Sequence, residues 1–302
     1  MFLNSEVQLL KKLNLSDFFI SKLTSELDVL IQVSLDEDLG NSGDVTSNAT
    51  VDPQKVGAAE IIAKQDGIFA GSFVVRRVFN KVDPSIQLDM KSNEGDNIFN
   101  KQNVISIFGS LKSILIGERT ALNFLSRISG VATLTKQFTD CMKNSSTKIL
   151  DTRKTIPGWR YLDKYSVVIG GGYNHRIGLF DMILIKENHI AASNGITNSV
   201  NKCRTYLNKN KLNLRIEVET RNLQEVKEAI DCNVDRIMLD NMTIETIKDA
   251  VALVNKKVAL EISGGITYNN LKDYLSTGVD YISVGQLTHS ASAFDYSLLI
   301  IE

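Results

Sequence analysis

Residues 214–240 read LRIEVETRNLQEVKEAIDCNVDRIMLD. Leu214–Val218 is a short β-branched run, Leu223–Ile230 carries apolar residues at helical spacing, and Arg236–Leu239 returns to a short apolar run. Strand, helix and strand in series predict two parallel strands joined by a crossover helix. The same rhythm extends in both directions. Further strands are expected at Lys148–Leu150, Met182–Ile185, Val258–Ile262 and Tyr281–Val284, with helices at Ile244–Val254 and Asn269–Leu275. Six such units predict an α/β fold in which the strands close into a barrel.

Each run ends in polar or glycine residues: Arg153-Lys154, Lys186, Glu219, Asp240, Ser263-Gly264-Gly265 and Gly285. Glu219, Asp240, Ser263 and Gly285 follow one another at spacings of 21, 23 and 22 residues. In an α/β barrel all strand C-termini open on one face, and that face carries the active site. Polar residues begin at the end of any strand, so a single such position means little. Six in register predict a functional mouth.

The rest of the chain is organised differently. Residues 1–35 read as helical, and 36–47, built of turn residues, as a loop. Alternating runs such as 57–64 and 103–109 predict an antiparallel or mixed sheet between 55 and 110. A long helix is expected from Ser113 to Met142, with Leu122, Leu125, Ile128 and Ala132 on its apolar face.

The whole chain has 302 residues and a formal net charge of −1, so no overall field draws it to nucleic acid or an anionic membrane. Its three cysteines, Cys141, Cys203 and Cys232, are widely spaced without a CxxC, which fits a reducing compartment rather than a disulfide framework. The N-terminus lacks signal-peptide features and no apolar run approaches the ~20 residues of a membrane span. A cytoplasmic protein is expected.

Against that neutral background, residues 153–186 hold Arg153, Lys154, Arg160, Lys164, Arg176 and Lys186 but only Asp163 and Asp181. Arginine forks bind carboxylates bidentately and lysine adds a mobile charge. A solvated basic surface would not interleave Ile156-Pro157-Gly158-Trp159 and Gly178-Leu179-Phe180 with its charges, so a small anion is the expected ligand. Ser263-Gly264-Gly265 and Gly285-Gln286-Leu287-Thr288-His289 follow consecutive late strands, where barrel enzymes hold phosphate on backbone N–H groups. Glu217 and Glu219 share a strand face, and Asp240 ends the next strand. Such carboxylates suit ribose hydroxyls, a phosphate-bound Mg²⁺ or a developing cation, and Glu217 also suits a plain ion pair. The three histidines lack zinc-ligand spacing, and no GxSxG, GxGxxG or P-loop motif occurs.

These blocks together resemble the quinolinate phosphoribosyltransferase family over nearly the whole chain. The resemblance rests on Glu37–Gly40 with Gly43–Thr46, Gly117–Asn123, Ser129–Thr133, Asp151–Thr155, Asn174-His175-Arg176, Lys186–His189, Glu217–Glu219, Leu239-Asp240-Asn241, Ser263–Gly265 and Val284–His289. One mild departure is Glu187, where aspartate is frequent. The resemblance implies an incomplete α/β barrel at 121–288 and an N-terminal α+β sandwich-like domain at 1–120, with 289–302 packing back on it. It implies conversion of quinolinate and phosphoribosyl pyrophosphate (PRPP), with Mg²⁺, to nicotinate mononucleotide, pyrophosphate and CO₂, by a homodimer with shared active sites.

It also implies roles. Arg153, His175, Arg176 and Lys186 hold the quinolinate carboxylates, joined by Arg119 from the neighbouring subunit. Lys154 contacts PRPP and is counted, with Glu219 and Asp240, as catalytic. Glu219 and Asp240 bind ribose hydroxyls and stabilise the anomeric cation. Ser263, Gly264, Gly265, Gly285 and His289 cradle the 5′-phosphate, and Thr152, Gln286 and Leu287 also belong to the substrate site. Mg²⁺ is expected on PRPP oxygens and water near Glu219 and Asp240, without direct protein ligands. Rival readings are a paralogue of the molybdenum-transport-associated type, a nicotinate-specific transferase, a non-catalytic nucleotide-binding protein, and a barrel aldolase or isomerase using Lys186 as a Schiff-base amine. The full arginine and lysine set favours a dicarboxylate.

Overall fold

The structure is a computed structural model and describes residues 10, 11, 13 and 15–301. The expectation of helix over 1–9 therefore lies outside the described residues. The chain divides into two compact units, one of residues 1–136, 155–171 and 290–302, the other of 137–154 and 172–289.

The helices of the first unit are α1 (Asp17–Leu39), α2 (Val45–Thr50), α3 (Ser72–Val82), α4 (Leu111–Cys141) and α5 (Arg160–Ile169). Its strands are β1 (Val56–Ala63), β2 (Gly67–Ile68), β3 (Gln87–Met90), β4 (Asn97–Ile98) and β5 (Asn103–Ser110). The Ser16 hydroxyl caps α1 by accepting from Phe19 N at 3.1 Å, and Phe19, Leu23, Leu27, Ile31 and Leu35 form its buried stripe. This helix runs through Asp36–Leu39, and Asp44 then accepts from Ser47 N at 2.9 Å to start α2. The loop expected at 36–47 thus shrinks to 40–44, because the helix continues to a Gly40 cap bonded to the Asp36 carbonyl, despite acidic residues at the negative end of its dipole, and Asp44 is an N-cap.

β1 pairs antiparallel with β5, and β5 with β3. On the other side of β1 runs the chain's last strand, Tyr296–Ile301. Leu122, Leu125, Ile128 and Ala132 of α4 are all buried. Gly130 in the same helix admits no side chain, since a Cβ would lie 2.1 Å from the Ser292 carbonyl oxygen. Glu94 pins α3: its carboxylate accepts from Gly71 N at 2.9 Å and Ser72 N at 2.7 Å, and from the Tyr165 hydroxyl at 2.5 Å.

The second unit contains β6 (Lys148–Leu150), β7 (Ile183–Ile185), β8 (Ile216–Thr220), β9 (Arg236–Asp240), β10 (Ala259–Ser263) and β11 (Tyr281–Ser283). Its helices are α6 (Glu187–Ser193), α7 (Ile196–Asn210), α8 (Leu223–Asp231), α9 (Ile244–Val254), α10 (Leu271–Leu275) and α11 (Gln286–His289). The final strand, β12, is the Tyr296–Ile301 segment already placed beside β1. The six strands β6 to β11 form one parallel sheet in the order β6-β11-β10-β9-β8-β7.

That is the cyclic order of a barrel broken once. Among the described residues no ladder joins β6 to β7, so the incomplete barrel implied by the family resemblance is what forms, and the closure that rhythm alone predicts is not reached. Tyr173 takes the bonding edge of β6, donating to Ile149 O at 2.9 Å and accepting from Asp151 N at 3.0 Å. The helix between β6 and Tyr173 is α5, which belongs to the first unit and is no barrel crossover. The first unit runs to 136, within α4, and includes 155–171. Among the described residues no helix is long and apolar enough to cross a membrane.

Candidate active site

The strand ends of the second unit bring most of the expected residues to one mouth. Lys154 follows β6, and its carbonyl accepts from the Thr288 hydroxyl at 2.8 Å while its N–H donates to Thr152 Oγ1 at 3.0 Å. Lys186 follows β7 and donates from Nζ to Glu219 Oε2 at 2.9 Å. Asp240 ends β9 in parallel register beside Ser263 of β10. Burial and the neighbouring Glu219 push the Asp240 carboxyl up, while Asn241, Lys186 and Lys154 act against the rise. Lys154, Lys186, Glu219 and Asp240 therefore surround one small volume.

The loop after Tyr173 supplies the guanidinium. The Asp151 carboxylate accepts from His175 N at 2.8 Å, and Asp181 accepts from Ile177 N at 2.7 Å and Gly178 N at 2.9 Å, fixing the loop at both ends. Arg176 is buried and donates to the Met182 carbonyl at 3.2 Å. Burial and the charge of Arg153 lower its pKa, against the pull of Glu217 and Asp181. Two guanidiniums whose charges oppose each other can take a carboxylate between them, since an anion relieves that repulsion.

Beneath them lies a polar cluster inside the sheet. His175 Nε2 is 3.2 Å from Glu217 Oε2 and 3.4 Å from Glu261 Oε1, and Arg236 Nη1 donates to Glu261 Oε2 at 2.8 Å. The Ser283 hydroxyl donates to Glu261 at 2.5 Å, and the Arg236 guanidinium lies 4.2 Å from the Tyr281 ring centre. Burial alone would push His175 down, but the two carboxylates outweigh it and lift its pKa to about 9. Burial and Glu261 likewise push Glu217 up. Arg176 N donates to His175 Nδ1 at 2.7 Å, which keeps a lone pair on that nitrogen. With Nδ1 used as an acceptor, Nε2 is the ring nitrogen that faces Glu217 and Glu261, while Arg236 pairs with Glu261.

The glycine loops follow. Gly264 has φ +100° and Gly265 φ +64°, conformations that favour glycine. A Cβ on Gly285 would touch Lys154 Cδ at 3.0 Å and His289 Cδ2 at 3.1 Å. His289 is exposed and Gln286 half-buried, but the Leu287 side chain is fully buried, so it can offer a ligand only backbone.

The six-cation block at 153–186 does not stay together. Arg160, Asp163 and Lys164 lie on α5 of the first unit, where Asp163 pairs with Arg127 at 2.9 Å and Lys164 is buried. Arg119 is also in the first unit, on α4, with its side chain 63% exposed. Sequence pattern assigns no role to Asp151, Asp181, Arg236, Glu261 or Ser283, although Asp151 opens a matching motif and Asp181 enters the charge count. A usable signal existed for Glu261, a charge inside the apolar run Val258–Ile262.

Known proteins supply the remaining observation. Residues 44–129 match the N-terminal domain of quinolinate phosphoribosyl transferase, and residues 131–299 match its C-terminal domain. The chain belongs to the quinolinate phosphoribosyltransferase family. It is 42% identical over 292 residues to quinolinate phosphoribosyltransferase [decarboxylating] 1b of Nicotiana tabacum, covering 92% of this chain and 83% of that one. It is 40% identical to the probable nicotinate-nucleotide pyrophosphorylase [carboxylating] of Bacillus subtilis, covering 87% and 89%. The solved nicotinate-nucleotide pyrophosphorylase of Francisella tularensis superposes with a TM-score of 0.86 at 39% identity, over 92% and 96% of the two chains. Family membership gives the mouth a chemical frame, in which each strand end described above falls within the matched C-terminal domain.

Proposed function

We propose that this chain catalyses decarboxylating phosphoribosyl transfer: quinolinate and PRPP become nicotinate mononucleotide, pyrophosphate and CO₂, a step of NAD biosynthesis. The observation that carries the reading is that the second unit holds both the opposed pair Arg153 and Arg176 and the group Lys154, Lys186, Glu219 and Asp240, in a chain of this family. Arg153, Arg176 and Lys186, with His175 seated against Arg176 N, take the two carboxylates of quinolinate. Arg119, on an exposed helix face, completes the receptor from the partner subunit of a homodimer. Lys154 meets the PRPP side. The Ser263–Gly265 loop and the Gly285–His289 turn receive the 5′-phosphate, with Gln286 and the Leu287 backbone, and Thr152 braces Lys154.

The bond changes need little covalent help. The C1′–oxygen bond to pyrophosphate breaks as the pyridine nitrogen bonds to C1′. The carboxylates of Glu219 and Asp240 stabilise positive charge at C1′. The C2–carboxylate bond then breaks, CO₂ leaves, and the electron pair stays at C2 beside the pyridinium nitrogen until a proton arrives. Binding two anions at fixed orientation supplies most of the remaining acceleration. The neighbouring carboxylates of Glu219 and Asp240 would hold, through water, a divalent cation that arrives with PRPP. When bound, Mg²⁺ neutralises the pyrophosphate leaving group. Three cysteines without disulfides fit work in the cytoplasm.

The purified chain, given PRPP, Mg²⁺ and either quinolinate or nicotinate, is expected to form mononucleotide from quinolinate only. Comparable product from nicotinate would contradict the assignment.

A further inference from the structure

We propose that Asn241 is a positioning residue that ties the Asp240 carboxylate to the Ser263–Gly265 loop, holding the ribose and phosphate halves of the PRPP site in one geometry. The inference rests on the phosphoribosyl reading above and extends it to a residue outside the assigned substrate contacts.

Asn241 follows β9 directly and is exposed, yet it is anchored three ways. Its backbone N–H donates to the Ser263 carbonyl at 2.9 Å. Its side-chain Nδ2 donates to Asp240 Oδ2 at 2.8 Å. Its Oδ1 occupies the space over Gly264, where a Cβ would come within 2.1 Å of it. Asn241 also has φ +53°, in the left-handed region that asparagine and glycine tolerate best.

Turning the chain needs only that backbone conformation, which glycine would provide. The amide adds something else. An exposed side chain ordered at both ends loses rotamer freedom without burying apolar surface, so its contacts must serve another purpose than the core. One contact occupies Oδ2 of Asp240. Among the described residues no hydrogen bond reaches the other oxygen, and the charges of Glu219, Lys186 and Lys154 act on the carboxyl. The other contact lays the amide on the glycine of the phosphate loop. A shift of the loop at Gly264 therefore moves Asp240, and the reverse. Gly264 is then required for two reasons: its φ of +100° and the amide that fills its side-chain position.

The test uses two variants of the full chain. Asn241→Gly keeps the left-handed turn and removes the amide. Asn241→Asp keeps the turn and shape but puts an acceptor against Asp240. Loss of a hydrogen bond to a charged group predicts roughly tenfold weaker binding of PRPP with Mg²⁺ by calorimetry for Asn241→Gly. The KM for PRPP should rise in step, the KM for quinolinate should stay within about twofold, and the melting temperature should be unchanged. Asn241→Asp should bind PRPP more weakly than Asn241→Gly. PRPP affinity equal to that of the parent in Asn241→Gly, parallel loss for both substrates, or an Asn241→Asp variant as good as the parent would each overturn the proposal. A parent chain that does not bind PRPP at all would overturn the phosphoribosyl reading beneath it.

Discussion

Arg176→Ala is expected to lower kcat/KM for quinolinate by a hundredfold or more, roughly 3 kcal/mol, while PRPP affinity changes less than about twofold. The size follows from burial. Arg176 is only 9% exposed, and its guanidinium is already steered by the Met182 carbonyl, so little ordering remains to be done when an anion arrives. Its opposition to Arg153 is relieved by the same anion. Arg176→Lys should recover only part of the loss, since an ammonium cannot form the two-pronged contact. Steady-state kinetics with each substrate varied in turn checks this. Equal weakening of both substrates would show that the cations around the mouth are misassigned.

Arg236→Met is expected to destabilise the second unit by roughly 3–5 kcal/mol. Glu217 and Glu261 are both fully buried, and Arg236 is the cation bonded to Glu261 at 2.8 Å. Removing it leaves buried carboxylate charge without its partner, and also the stacking on Tyr281. The pH dependence is signed. Burial works against the Glu261 anion, but His175, Ser283 and Arg236 hold its pKa below the ordinary value. A depressed carboxyl stabilises the fold above its unfolded pKa of about 4.3, and that contribution is lost as pH falls through the folded value. The deficit of Arg236→Met should thus be largest near neutrality and shrink below about pH 4.5. Urea unfolding of parent and variant at several pH values measures it. A deficit independent of pH would place the loss in packing rather than charge.

The sequence was most legible where local chemistry decides. The β8–α8–β9 repeat appears almost at its expected bounds, because its period changes from strand to helix and back, and Asn222 caps the helix by accepting from Glu225 N. The helix Ile244–Val254 was expected and found with the same ends, capped by Thr243 and stopped at left-handed Asn255. Legibility failed where distant segments decide. Nothing local to Tyr173 says that its backbone will cover the edge of β6, so rhythm alone predicted a closed barrel. Nothing local to Arg160 and Lys164 says that their helix leaves the barrel unit, so the charge count over 153–186 overstated the cluster. Strand-end spacing did bring Lys154, Lys186, Glu219, Asp240 and the glycine loops to the same mouth. It could not show that Glu217 turns to His175 and Glu219 to Lys186, a division set by partners from other strands.

The most direct test follows one carbon atom. Quinolinate labelled with ¹³C in its 2-carboxylate, incubated with the purified chain, PRPP and Mg²⁺, should release one labelled CO₂ for each pyrophosphate, and the mononucleotide should carry no label. Pyrophosphate released while the label stays in the pyridine product, or no pyrophosphate at all, would contradict a decarboxylating phosphoribosyltransferase site at this barrel mouth.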